Sequence, residues 1–122
     1  MQIDPGMVLN DEQSVAAFAA GLQAFPGLAT QLPLEAVERF MEYEPERVVR
    51  QIAPRPLLLI GALHDAAAPI SEMRHLYRAA GQPKRLEILE ITHYAIYDLP
   101  HRATAIALAA EWFRTYLGPV TV

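Results

Sequence analysis

The run Pro56-Leu57-Leu58-Leu59-Ile60-Gly61-Ala62 constrains this chain more than any other feature. It is continuously apolar, opened by proline and followed, after Leu63, by the polar residues His64 and Asp65. A half-exposed strand alternates, so an unbroken short run of this kind reads as a strand covered on both faces. The loop His64-Asp65-Ala66-Ala67-Ala68-Pro69 follows. Next comes a helical spacing, Met73, Leu76, Tyr77 and Ala80, with Ser71 as the expected N-cap and Gly81 as the expected residue just past the end. Arg85-Leu86-Glu87-Ile88-Leu89-Glu90-Ile91 reads as a second strand, and its two glutamates imply a partly wet face near a sheet edge. Parallel neighbours cannot be joined by a tight turn, so strand, helix, strand implies a right-handed parallel crossover. Asp65 and His93 then each lie just beyond the carboxyl end of a strand. Both belong to one rim of the sheet, where ligands bind in open α/β folds.

The flanking segments are helical. Asn10 is the expected cap of a first helix with Val15, Phe18, Ala19 and Leu22 inward, stopped at Phe25-Pro26-Gly27. A second opens at Pro33 with Leu34, Val37, Phe40 and Met41 inward, and the glutamates from Glu35 to Glu46 form a solvated face. Pro45 starts a third, short helix carrying Val48, Val49 and Ile52, which Pro54 ends. The last runs from about His101 to Leu117, with Ile106, Ala110, Phe113 and Leu117 as its stripe and Leu108 and Trp112 widening it.

Composition excludes several classes. The formal charge of the 122 residues is -4 and no Lys/Arg cluster appears, which argues against nucleic acid as partner. Lys84 is the only lysine. With no cysteine there are no disulfides, thiolate zinc sites or cysteine nucleophiles. The longest apolar run falls far short of the roughly 20 residues of a membrane span. Met1-Gln2-Ile3-Asp4-Pro5 has neither a basic nor an apolar leader segment, so the expectation is a soluble, cytoplasmic chain.

The chemistry rests on Asp65 and His93. An imidazole working in proton transfer needs a carboxylate on its other nitrogen, to set the tautomer and stabilise the imidazolium. Plainer readings stand beside this one. Asp65 is also a residue type that opens turns, and His93 could be a structural histidine. Tyr94 and Tyr97 flank the histidine, as lining for a substrate pocket or as ordinary packing. His64, His75 and His101 read as surface residues. No His-x-x-x-His or similar spacing supports a metal site, and no cofactor is implied.

Asp before His is the chain order of the last two members of an α/β-hydrolase triad. From Tyr43 to Leu117 the sequence resembles the carboxyl-terminal half of an α/β-hydrolase of the dienelactone hydrolase and esterase-like branch. The resemblance is carried by Ile52-Ala53-Pro54-Arg55-Pro56-Leu57-Leu58-Leu59-Ile60, Asp65 with Pro69 beyond it, Leu76-Tyr77 with Ala79-Ala80-Gly81, and Thr92-His93-Tyr94-Ala95-Ile96-Tyr97. It implies an α/β fold, as a partial α/β-hydrolase: two parallel strands with a crossover helix, a carboxyl-terminal helix and a helical amino-terminal segment. Residues 1–44 resemble a helical cap, and 45–122 the hydrolase subdomain. Asp65 becomes the triad acid and His93 the general base, for ester or similar acyl hydrolysis of a small molecule.

The nucleophile of that scheme is missing. The family places its serine in a Gly-x-Ser-x-Gly elbow, and this chain has only Ser14 and Ser71, neither in such a motif. The chain alone is therefore expected to be inactive, completed by a nucleophile-bearing amino-terminal half. The alternative is a non-catalytic remnant that oligomerises or binds a ligand or partner. Isolated strand pairs are marginal in water, so a homodimer or a heterologous partner is expected at the open sheet edge.

Overall fold

The structure is a computed structural model, which describes residues 9–118 and the backbone of Gln2–Ile3. The chain divides into two compact units, Met1–Pro45 and Glu46–Val122.

In the first unit β1 (Gln2–Ile3) pairs antiparallel with β2 (Leu32–Pro33), a pairing with no sequence signal. Its helices are α1 (Glu12–Ala24) and α2 (Leu34–Met41). Asp11, rather than Asn10, caps α1, because its carboxylate stands where it accepts the Ser14 amide at 2.9 Å. The inner face of α1 is Ser14, Ala17, Phe18, Gly21 and Leu22, while Val15 and Ala19 face outward against expectation. The rotation follows from the returning chain. A Cβ at Gly21 would lie 3.3 Å from Leu28 Cδ2, so the glycine face lets the segment after the Pro26-Gly27 turn pack closely. Leu34 and Val37 of α2 are half-buried, but Phe40 and Met41, in its last turn, are exposed rather than inward.

The second unit opens through two short 3-10 helices, Pro45–Arg47 (at the join) and Val49–Ile52, in place of the single helix expected. Val49 is buried and Val48 exposed. Then come β3 (Leu57–Ala62), α3 (Ile70–Ala79), β4 (Lys84–Leu89) and α4 (His101–Leu117). β3 and β4 pair in parallel from Leu57 opposite Lys84 to Ala62 opposite Leu89, as the crossover argument requires.

The register assigns the helices to opposite faces. Gly61 shares a face with Leu57 and Leu59, and a Cβ there would lie 2.8 Å from Ile70 Cδ1 and 3.2 Å from Met73 Cγ, so α3 covers that side. Arg85 and Glu87 point to the other side. Arg85 pairs with Glu87 at 2.5 Å and with Glu111 of α4 at 3.2 Å, and the hydrogen bond to Glu87, then that to Glu111, raises its pKa above the usual guanidinium value. Three layers result: helix, sheet, helix.

Coverage of the sheet is incomplete. Gly61 and Ala62 are buried, but Leu57 to Ile60 are only half-buried, so the expected double covering fails along most of β3. The core of this unit is Val49, Ala62, Ala80, Ile91 and Trp112. α4 turns Ala105, Leu108, Ala109 and Trp112 inward. Of the stripe expected there, Ala110 is half-buried, but Ile106, Phe113 and Leu117 face outward, with Ile106 62% and Leu117 76% exposed. Burying the indole hides more apolar area than burying Phe113 would, and Trp112 also packs against Tyr116, with ring centroids 4.4 Å apart and planes tilted by 53°.

Two end signals of α3 are also corrected. Pro69 precedes the helix, so Ser71 lies inside its first turn, exposed and making no cap hydrogen bond. Gly81 is not a left-handed terminator, since only Gly118 has positive φ among the described glycines. It is a close-approach residue: a Cβ there would lie 2.6 Å from Ala53 Cβ. The end of α3 is instead closed by the single lysine, whose Nζ reaches the carbonyls of Tyr77 at 2.6 Å and Ala80 at 2.7 Å.

Candidate active site

The sheet ladder continues past the strands and builds the rim. The Leu63 amide donates to Leu89 O at 2.8 Å and the His64 amide to Ile91 O at 3.0 Å. These bonds hold the loop that follows β3 against the loop that follows β4. Asp65 lies one residue beyond the second tie on its side and His93 two beyond it on the other.

The structure brings the two side chains together. His93 Nδ1 lies 2.8 Å from Asp65 Oδ2. The other carboxylate oxygen, Oδ1, accepts the amides of Ala67 at 2.9 Å and Ala68 at 2.6 Å. A carboxylate engaged only as acceptor calls for a donor on the imidazole, which puts the proton on Nδ1 and makes Nε2 the basic nitrogen. Asp65 therefore makes both kinds of contact. One oxygen closes the turn and the other orients the histidine.

Burial grades across the pair. The Asp65 side chain is 10% exposed and that of His93 31%, so the carboxylate is shielded while the imidazole still reaches the surface. His93 heads the 3-10 turn Tyr94–Tyr97. Tyr94 stands edge-on to the imidazole, with ring centroids 4.6 Å apart and planes at 69°. Tyr97 faces solvent. His64 and His75 are exposed and His101 is half-buried.

The Ala67 and Ala68 amides are the Asp65 partners that side-chain reasoning passed over. An aspartate followed by small residues before a proline is the available signal, because such an aspartate closes a turn on its own backbone. Ser14 is buried in α1 and Ser71 is exposed on α3. Among the described residues, no group of three or more His, Asp or Glu is placed to hold a metal ion. No described helix is long and apolar enough to cross a membrane.

A carboxylate-oriented imidazole at the carboxyl rim of a parallel sheet, with helices on both faces, is an arrangement of the α/β-hydrolase fold class, and the chain has part of that fold. In particular, it is similar to the alpha/beta hydrolase GrgF from Penicillium sp. sh18, with a TM-score of 0.75 and 14% sequence identity over 95% of this chain. The match covers 42% of GrgF, so the chain spans about two-fifths of the length of that enzyme. Identity this low establishes the fold alone. No protein-family model and no curated protein matches the chain.

Proposed function

We propose that Asp65 and His93 are the acid and base of a carboxylic-ester or related acyl hydrolase, of the dienelactone hydrolase and esterase-like branch, acting in the cytoplasm on a small molecule. The observation that carries this reading is the 2.8 Å bond from His93 Nδ1 to Asp65 Oδ2 at the rim. In that scheme Nε2 takes the proton of a serine as it attacks the acyl carbon and later returns it to the leaving group. Asp65 holds the tautomer and stabilises the imidazolium, and the Ala67 and Ala68 amides fix Asp65.

The serine comes from a Gly-x-Ser-x-Gly segment outside residues 1–122, along with the donors for the oxyanion. A base and its carboxylate cannot replace either. The outer edge of β3 is where the strands of such a segment would continue the sheet.

The test uses p-nitrophenyl acetate. The chain alone is expected to show no serine-type turnover. Addition of a Gly-x-Ser-x-Gly half from a related hydrolase should give turnover that disappears in Asp65→Asn and His93→Ala. Turnover by the chain alone that Ser71→Ala abolishes would reject this reading, since an α3 serine would then be the nucleophile.

A second reading, a non-catalytic module that self-associates, is favoured by the outward apolar stripe of Ile106, Phe113 and Leu117 on α4. It gains if complementation yields no activity while the chain sediments as a stable dimer.

A further inference from the structure

We propose that α2 of one copy docks on α4 of a second copy, an acid-edged apolar face against a base-edged one, in a reciprocal dimer. The inference rests on the self-association reading and deepens it, and it is independent of the hydrolase reading. On α2, Phe40, Met41 and, just beyond the helix, Tyr43 are exposed. Glu38 and Glu42 are exposed beside them, one turn before Met41 and one residue after it. On α4, Ile106, Phe113 and Leu117 recur at helical spacing, so they form one outward row. Arg102, one turn before Ile106, and Arg114, next to Phe113, are exposed at its margins. None of these four charges enters an ion pair among the described residues.

Charge selects what covers each face. Residues 1–45 carry seven acidic side chains and one basic, whereas 46–122 carry seven acidic and nine basic, for formal charges of -6 and +2. Like charges brought together across an interface cost free energy, which disfavours α2 on α2 and α4 on α4. Acid-edged on base-edged is attractive, and the pairing takes out of water two apolar rows that a single copy leaves exposed. A second copy carries the matching face, and a twofold axis makes the contact twice.

The experiment is sedimentation of the full chain at micromolar concentration, with far-ultraviolet circular dichroism to check folding. One variant joins Glu38→Arg to Glu42→Arg, and the other joins Arg102→Glu to Arg114→Glu. The unaltered chain should dimerise. Each variant alone should raise the dimer dissociation constant by about 10-fold or more, because like charges then face each other in both contacts. An equimolar mixture of the two variants should recover the dimer, since both contacts of the mixed pair are again attractive. Glu38→Gln with Glu42→Gln, which should weaken the dimer less, carries the test if the arginine variant does not fold. A dimer that the folded α2 variants leave unchanged overturns the proposal and spares the self-association reading, because α4 would then pair in another way. A mixture that stays monomeric does the same. An unaltered chain that remains monomeric, its faces meeting some other protein, overturns both and leaves the hydrolase reading untouched.

Discussion

Asp65 makes two sets of contacts, one to the turn and one to the histidine, that sequence reasoning treats as alternatives. Its loop position was legible because it follows an apolar strand. The two-amide clamp was not, because backbone donors leave no mark in side-chain identity. Lys84 is a second case, since its solitary status said nothing of the carbonyls it closes. Lys84→Met should destabilise the fold by about 1.5 to 3 kcal/mol, as expected for hydrogen bonds to a charged group, readable as a shift of the urea midpoint. Gly81 and Gly61 make a contrast. A methyl at Gly81 meets the Ala53 Cβ, which cannot turn aside, while one at Gly61 meets the mobile tip of Ile70. Gly81→Ala should cost about 1 to 3 kcal/mol in chemical denaturation and Gly61→Ala clearly less; equal losses would refute the packing assigned to Gly81.

At the scale of elements, β3, β4 and the four α-helices followed from the sequence, whereas the β1–β2 pair, the two 3-10 helices and the buried faces of three helices did not. α1 and α4 are apolar around much of their circumference, so periodicity offers several stripes and the neighbours choose among them. The choice on α4 has a measurable consequence. Trp112→Ala should cost about 3 to 5 kcal/mol, whereas Phe113→Ser should change thermal stability by no more than about 0.5 kcal/mol. The α1 cap gives a pH dependence. The Ser14 hydroxyl and then its amide hold the Asp11 carboxyl below its ordinary value of 3.8. A carboxyl with its folded pKa depressed adds stability above the unfolded value, and that stability is lost as pH falls through the folded one. Helical circular dichroism from α1 should therefore weaken below pH 3.8, and Asp11→Asn should flatten that dependence.

At the scale of the molecule, the second unit has the layers of an α/β fold without enough of them. Two strands and two helices leave Leu57 to Ile60 only half-covered and a stripe of α4 outward. Such edges and faces recruit further protein. Sedimentation at micromolar concentration should show self-association of the chain, and binding of a nucleophile-bearing half should compete with it. A clean monomer that binds no such half would remove both functional readings.

The sequence by itself determined the order of β3, α3, β4 and α4, the parallel crossover and the placing of Asp65 and His93 on one rim. Those depend on local hydrophobic runs, on proline and glycine breaks, and on the rule that parallel strands need a crossover. Tertiary structure alone decided which stripe each helix buries, that Gly81 makes room for Ala53, that Lys84 closes α3, and that the aspartate faces the histidine at bonding distance. Each of these turns on the nearness of groups far apart along the chain, and spacing within a segment does not encode what a distant segment brings against it.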